Sequence, residues 1–448
     1  MEEASIELLR IRAALETQRL QDAINILLEM HPADRAEVFE LLEDGEQDIL
    51  LPLMDVTSTA DLLEELEDEA ALDAIETLTP AQLADVLDEM EPDEAADLLG
   101  DLPPERVTET LAEMEEADEV IPLLGYPDES AGGLMTTSYI AMRRQTSTDQ
   151  AIQFLRDVSA ELEIPFYLYG VDRENKLAGV VSLREIVLAM PGTAINDIMQ
   201  RDVIYVESTT DQEEAARVMS RYDLAALPVV DEQGKLVGVI TYDDIVEVIE
   251  DEATEDIYRL ASVSDNDLEP DSPINEQLRG RLPWLYFNTL TALFASWVVS
   301  NFEALIGQVA ILAAFQSVVA GLGGNSASQN VAMIVRSVAL GKTTVRQLWP
   351  VLLRQMLVGF LTGLAVGSVV GVGVSLWQKD PHLGLILGLA MLMNMVVAGI
   401  VGTVVPFLII AFGKDPALAS TVLVTATTDS MGFLIFLSLA TIFLPYLE

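Results

Sequence analysis

One carboxylate stands alone in an apolar setting. Asp429 lies in the run Thr425-Ala426-Thr427-Thr428-Asp429-Ser430, inside a C-terminal stretch otherwise built of aliphatic and small residues. An ionisable group at membrane depth is costly and normally faces a cavity or an ion path. No His, Lys or Arg is near it in sequence. Its neighbours offer hydroxyls and carbonyls, hard oxygen donors that suit Mg2+ or Ca2+ rather than copper or zinc. Mg2+ gives up water reluctantly, so one carboxylate per subunit could hold a hydrated ion through its waters. A protonated or hydrogen-bonded carboxyl is the structural alternative. A second group is Glu252, Glu255 and Asp256, which share one helical face by i, i+3, i+4 spacing. Like charges there destabilise a helix unless a cation bridges them. Glu303 reads as a solvated carboxylate at the end of a loop.

Other chemistries are excluded. There is no cysteine, and His31 and His382 are too few and too distant for a His-based zinc site. No phosphate-binding glycine loop, nucleophile motif or acid–base constellation occurs, so no enzymatic step is expected. The N-terminus is acidic and amphipathic, unlike a signal peptide.

The elements that must carry these residues fall into two regions. Of the formal charge of -49, residues 1–270 supply 66 Asp and Glu against 16 Lys and Arg, and residues 271–448 supply 7 against 8. The first region must live in water, where its natural counter-ions are cations and it repels nucleic acid. Solubility or a high-salt habitat is the simpler account of most of these acids. The second region is apolar enough for lipid.

Residues 5–125 read as helix after helix. Pro80, Pro92 and Pro104 stand at 12-residue intervals, each followed by apolar positions at plus 3, 6 and 7: Leu83, Val86, Leu87; Ala95, Leu98, Leu99; and Val107, Thr110, Leu111, the last copy with one polar site. The frame runs back to Ala71, Ala74, Ile75 and to Leu62, Leu63. Proline fits a first helical turn and ends the preceding helix, so short helix–turn units are expected to stack as a solenoid.

Residues 132–255 change to alternating strands and helices in two copies. Val171-Asp172-Arg173-Glu174-Asn175-Lys176-Leu177-Ala178-Gly179-Val180-Val181-Ser182 parallels Val230-Asp231-Glu232-Gln233-Gly234-Lys235-Leu236-Val237-Gly238-Val239-Ile240-Thr241. Met135 and Met199 open the copies, and Thr148-Asp149-Gln150 and Thr210-Asp211-Gln212 each start a helix. This resembles a tandem pair of CBS domains, a regulatory module that often binds adenine nucleotides. Thr241 and Asp244 fit its ribose-binding pattern. The first copy offers Ser182 and Glu185, and Leu224 stands where an aromatic could stack on adenine.

Five apolar stretches follow, near 283–301, 304–322, 348–376, 383–412 and 418–446, each long enough to cross about 30 Å of hydrocarbon. With the soluble half cytoplasmic, the inside collects Arg279, Arg281, Arg336, Lys342, Arg346, Arg354 and Lys414, and the outside keeps Lys379. That fits the positive-inside rule with the C-terminus outside. Five helices make a small unit, and a two-fold dimer is the commonest way to complete a pore. Gly359, Gly363, Gly367, Gly371 and Gly373 permit close helix contact, with ordinary packing as the plain reading.

In this order the parts resemble the MgtE family of magnesium channels over essentially the whole chain. The resemblance rests on Tyr222-Asp223-Leu224-Ala225-Ala226-Leu227-Pro228-Val229-Val230-Asp231, Glu252-Ala253-Thr254-Glu255-Asp256-Ile257, Asp415-Pro416-Ala417-Leu418, the Asp429 segment and Gly323-Gly324-Asn325-Ser326-Ala327-Ser328-Gln329. In the last, Ala327-Ser328 stands where the family has Gly-Asn, at an expected bend. The implied fold is multidomain. An all-α helical-repeat N domain (1–130) precedes α/β tandem CBS domains (131–250, in halves 131–192 and 193–250). A connecting helix (251–275) then leads to a polytopic α-helical membrane domain of five transmembrane helices (276–448).

The resemblance also implies a homodimer in the cell membrane, with Mg2+ held in a central pore at Asp429 and gating by intracellular Mg2+. The matching regulatory acids are Asp61, Asp93 and Asp97 in the repeats, and Glu213, Asp223, Asp244 and Glu247 in the CBS pair. Glu252, Glu255 and Asp256 match on the linker, and Asp415 matches at the membrane's inner face. Facing carboxylates repel, divalent ions hold them together, and loss of the ions would let the domains splay and pull the linker. The expected function is therefore a Mg2+-selective, Mg2+-gated channel, with ATP as a candidate ligand. The rivals are a carrier of another divalent ion such as Co2+ or Ca2+, and a membrane-anchored nucleotide sensor that transports nothing.

Overall fold

The structure is a computed structural model that describes residues 2–158, 167–264, 268, 270, 272–419 and 421–447. The chain forms two compact units, Met1–Val248 and Ile249–Glu448.

The first unit opens with short helices whose apolar positions are those of the repeat. Leu62, Leu63, Ala71, Ala74, Ile75, Leu83, Val86, Leu87, Ala95, Leu98 and Leu99 are all buried. The proline spacing is half of the structural repeat. Helices pack next but one, so Pro32–Glu40, Val56–Leu63, Pro80–Leu87 and Pro104–Glu113 form one row, and Asp68–Ile75 packs on Pro92–Gly100 in the other. The true period is 24 residues. It appears again in the polar contacts. Glu40 accepts from the Glu67 amide at 3.4 Å, Glu64 from Glu91 at 2.8 Å and Asp88 from Glu115 at 2.8 Å, each a side chain at one helix end satisfying an orphan amide at the start of a later segment. Some of the acidity is thus architectural. Arg35, buried, donates to the carbonyls of Leu27 and Ser58 and ties successive units.

The second part of this unit holds two three-stranded sheets of the same topology: Ala141–Arg143, Tyr167–Val171 and Leu177–Ser182, then Val206–Glu207, Ala226–Val230 and Leu236–Thr241. In each, the first pair is parallel and the second antiparallel, with a register shift before the last residue of the middle strand. The copies exchange their leading segments. Thr136 pairs with Val239 of the second sheet, and Gln200 with Val180 of the first.

The second unit begins within the Tyr242–Leu260 helix. Of the stretch expected to connect the halves, helix extends only to Leu260. Ser262 then takes a left-handed backbone (φ 63) and the Val263 amide returns to the Tyr258 carbonyl. Residues 265–267, 269 and 271 lie outside the described residues. Among the described residues, four helices are long and apolar enough to cross a membrane: Ile274–Ser300, Val345–Gln378 (whose first turn is 3-10), Pro381–Ala411 and Thr421–Ile442. The second expected span differs. Glu303–Gln308 is a short helix of its own, and Ile311–Ala339 runs unbroken for 29 residues. No bend interrupts 323–329. The glycines, serines and Asn325 of that run dilute its hydropathy, but small side chains let the helix pack closely on Pro381–Ala411 and Thr421–Ile442. Val345–Gln378 packs along Pro381–Ala411 through Gly359, Gly363, Gly367 and Gly371. The glycine stripe is therefore a packing seam.

Candidate functional site

Four of the carboxylates expected to act as regulators converge inside the first unit. Asp93 and Asp97 lie on the Pro92–Gly100 helix, and Asp244 and Glu247 on the first turns of Tyr242–Leu260. Asp93 is 5% exposed, and its Oδ1 accepts no hydrogen bond among the described residues. Burial, then the charges of Asp244 and Glu91, push its carboxyl well above the usual range. Asp97 is pushed to about 7 by burial and by Asp128, Asp68, Asp101 and Glu247. Asp244 is raised chiefly by burial. Sequence reasoning missed a fifth member. Glu94 is pushed to about 9, by burial first and then by Asp93, Glu247, Asp97 and Asp244. Its signal was available, because it sits between two expected ligands in the first turn of the same helix. Every charged group acting strongly on Asp93, Glu94 and Asp97 is another carboxylate. Such a cluster is stabilised by protons or by a cation.

The other expected regulators of this unit are engaged elsewhere. Asp61 faces Arg35 at 4.0 Å. Glu213 pairs with Arg217 at 3.3 Å on its own helix. Asp223 ends that helix in a left-handed conformation (φ 51).

A second cluster lies in the second unit and has a different electrostatic character. Asp256 is raised to about 6 by burial, Asp415 and Glu252, with Arg336 opposing. Here the chain supplies its own cation. The Arg259 guanidinium pairs with both Glu255 and Asp415, and the Thr421 hydroxyl donates to the Leu260 carbonyl at 2.9 Å. The linker helix is thereby fastened to the Phe412–Thr421 connection. The expectation that repelling carboxylates wait here for a divalent ion overlooked Arg259, which stands four residues after Glu255.

Asp429 lies mid-way along Thr421–Ile442 and is half-buried. Its Oδ1 is fully buried and accepts no hydrogen bond among the described residues. It faces Gly324, where a Cβ would lie 3.8 Å from that oxygen.

The candidate nucleotide residues hold helix starts. Asp244 accepts from the Thr241 amide at 3.0 Å and its hydroxyl at 2.7 Å. Ser182 and Glu185 form a reciprocal capping box. Asp244 thus belongs both to a helix start and to the carboxylate cluster. Among the described residues, no three His, Asp or Glu side chains are placed to coordinate one metal ion directly.

Comparison with known proteins gives this geometry its context. A family model described as MgtE, divalent cation transporter, matches residues 316–439. The MgtE intracellular N domain matches 30–129, and a CBS domain matches 195–251. The magnesium transporter MgtE of Thermus thermophilus is 39% identical over 328 residues, 73% of this chain and 72% of that protein. This chain belongs to the MgtE family. The MgtE of Enterococcus faecalis is 35% identical over 74% of this chain and 73% of that one. Two solved structures resemble the soluble half. The soluble part of a magnesium transporter is 32% identical, with a TM-score of 0.51, covering 56% of this chain and 99% of that one. The cytosolic domain of the Mg2+ channel MgtE in complex with ATP is 34% identical, with a TM-score of 0.51, covering 54% and 99%. MgtE proteins are transporters and not enzymes, in keeping with the sequence. Asp429 and the polar run at 323–329 both fall inside the transporter match.

Proposed function

We propose that this chain carries Mg2+ across the cell membrane, as a homodimer whose soluble half senses the ion it admits. Asp429 carries the proposal. It is a half-buried carboxylate within an apolar helix, its flanks offer hydroxyls, and one of its oxygens finds no donor among the described residues. A hydrated divalent cation supplies the compensating charge and water-borne donors. Five membrane helices fit this reading. The Ile311–Ala339 helix counts as the second, because 29 residues suffice to span and Gly323, Gly324 and Ala327 of its polar run are buried against other helices. The N-terminal domains are then cytoplasmic and the C-terminus lies outside.

For regulation, Asp93, Glu94, Asp97, Asp244 and Glu247 form the ion-sensitive element. Charged, they repel. With a divalent ion held through its waters, the helical repeats and the CBS pair stay together, and the Tyr242–Leu260 helix is held in its closed position. Glu252, Glu255, Asp256 and Asp415 are proposed to join at the other end of that helix, where an incoming ion must compete with Arg259. Asp61, Glu213 and Asp223 are proposed as peripheral ligands that join after movement. ATP is proposed at the CBS pair through Thr241 and Asp244, with Ser182 and Glu185 in the other copy, as the ATP complex of a related cytosolic domain suggests.

Flux into liposomes containing the purified full chain tests the reading. Asp429→Ala is expected to lower Mg2+ influx at least tenfold, in line with a charge at the reacting centre of the path. Unchanged flux would remove Asp429 from the pathway and leave a nucleotide sensor as the better description. Co2+ or Ca2+ entry untouched by excess Mg2+ would make another divalent ion the cargo.

A further inference from the structure

Two amide side chains are buried in the membrane half, and one stands beside the Asp429 segment. Asn394, on Pro381–Ala411, is 1% exposed. Its Nδ2 donates to the Val319 carbonyl at 2.9 Å, which fixes the orientation of the amide. Its Oδ1 accepts nothing among the described residues. The space it occupies is made by glycines on two other helices. A Cβ at Gly323 would lie 2.1 Å from Nδ2, and one at Gly432 2.7 Å. Gly323 adjoins Gly324, which faces Asp429 Oδ1, and Gly432 is one helical turn beyond Asp429. Gly323 thus borders the Asn394 amide and Gly324 borders Asp429 Oδ1, and neither side-chain oxygen accepts a hydrogen bond among the described residues. A buried acceptor without a donor is costly, more so when it is charged, and such groups recur where water or an ion is handled.

We propose that Asn394 is a positioning residue of the ion path: its Oδ1 and the inner oxygen of Asp429 share water held against Gly323-Gly324. One water has two protons to give and suits two acceptors. Fixing the inner oxygen in this way aims the rest of the carboxylate at the hydrated cation. Asn394 then acts through Asp429, without touching the ion. The same arrangement gives the glycine pair a purpose beyond close packing, because any Cβ at Gly323 would collide with the amide.

This inference rests on the reading of Asp429 as the pore acid, and the experiment separates the two. Mg2+ flux through the full chain in liposomes is measured against Mg2+ concentration for Asp429→Ala, Asn394→Leu, Gly323→Ala and Asn330→Leu. Asn330 is the other buried amide. It ties Ile311–Ala339 to Gly399 and Thr403, and its Oδ1 also accepts nothing among the described residues, but it stands about two helical turns beyond Gly323-Gly324 and so reports the loss of a buried amide away from Asp429. Asn394→Leu and Gly323→Ala are expected to raise the half-saturating Mg2+ about tenfold with little change in maximal flux, the usual size of a lost supporting contact behind a metal ligand. Asn330→Leu should leave the half-saturating value within twofold. Equal shifts for Asn394→Leu and Asn330→Leu would overturn the proposal, as would no shift for Asn394→Leu. Failure of both Asn394→Leu and Gly323→Ala to fold would also count against it, by assigning Asn394 to assembly. Normal flux in Asp429→Ala would instead overturn the pore reading itself.

Discussion

The two carboxylate clusters answer the same electrostatic problem in opposite ways. Around Asp93, Glu94 and Asp97 the strong charged neighbours are all acids, and the carboxyls are driven to about 7 and about 9 where a value is resolved. Around Glu255, Asp256 and Asp415 the chain places Arg259 and Arg336, and Asp256 rises only to about 6. An internal arginine is a permanent counter-charge. A site without one depends on what the solution supplies. The first cluster is therefore suited to report ion concentration, whereas the second is already tied and has Arg259 as a competitor for any incoming cation.

Breaking the tie should give the largest effect on this contrast. Arg259→Gln removes one partner from two ion pairs and leaves three acids together. Each lost charged contact is worth about 1.5–3 kcal/mol. Amide exchange over 250–260 is expected to accelerate about tenfold or more without Mg2+ and to return toward the wild-type rate when Mg2+ is added. Equal rates in variant and wild type would show that Arg259 fastens nothing.

The next effect concerns protons. Glu94 and Asp97 have folded-state values above their ordinary ones, so their contribution is present at low pH and is lost as pH rises through about 7 and then about 9. In Mg2+-free buffer the thermal midpoint of the soluble half, followed by calorimetry on the full chain, should fall by several degrees between pH 5 and 9. Added Mg2+ should cancel most of the fall with release of protons. Glu94→Gln should flatten the pH profile and weaken the Mg2+ response together. A variant that alters one without the other would separate the proton and ion roles.

The same comparison has a structural control. Leu83→Ala, in the fully buried row of the repeat, should destabilise the first unit by about 2–5 kcal/mol while leaving the second unit's midpoint alone. The smallest expected effect is Glu64→Ala, which removes the 2.8 Å bond to the Glu91 amide and should cost about 1 kcal/mol by denaturant unfolding. Glu64 would then be an architectural acid, unlike Glu94, although both belong to one acidic surface.

Much of the architecture was legible because its signals are periodic. Prolines followed by apolar residues at fixed offsets marked the helices, and the duplicated strand–turn–strand motif marked the paired sheets. The doubling from 12 to 24 residues was not legible, since next-but-one stacking leaves no mark on a single helix. The Ile311–Ala339 helix was cut short by its glycine-rich run. The resemblance implied a bend there, whereas contacts with two neighbouring helices maintain the helix. At the sites, Asp93, Asp97, Asp244 and Glu247 lie close together in the structure, and it was the resemblance to a family rather than the charge pattern that picked them out of so many acids. Glu94 was missed because the acids were taken from the resemblance position by position and it was not among them, and Arg259 because attention to the acids hides their partners. Thr241 and Asp244 show the converse. A threonine followed three residues later by an acid also describes a helix start, and the structure uses it as one.

The 24-residue stacking of the first unit has a consequence for how such a chain changes length. Deleting or inserting 12 residues would shift every later helix into the opposite row and turn Leu83, Leu87 and Leu99 away from their partners. A change of 24 residues keeps each row in phase, and places the acid at one helix end opposite the amide it serves. A duplication or loss of whole pairs of helices is therefore the length change that this packing accommodates.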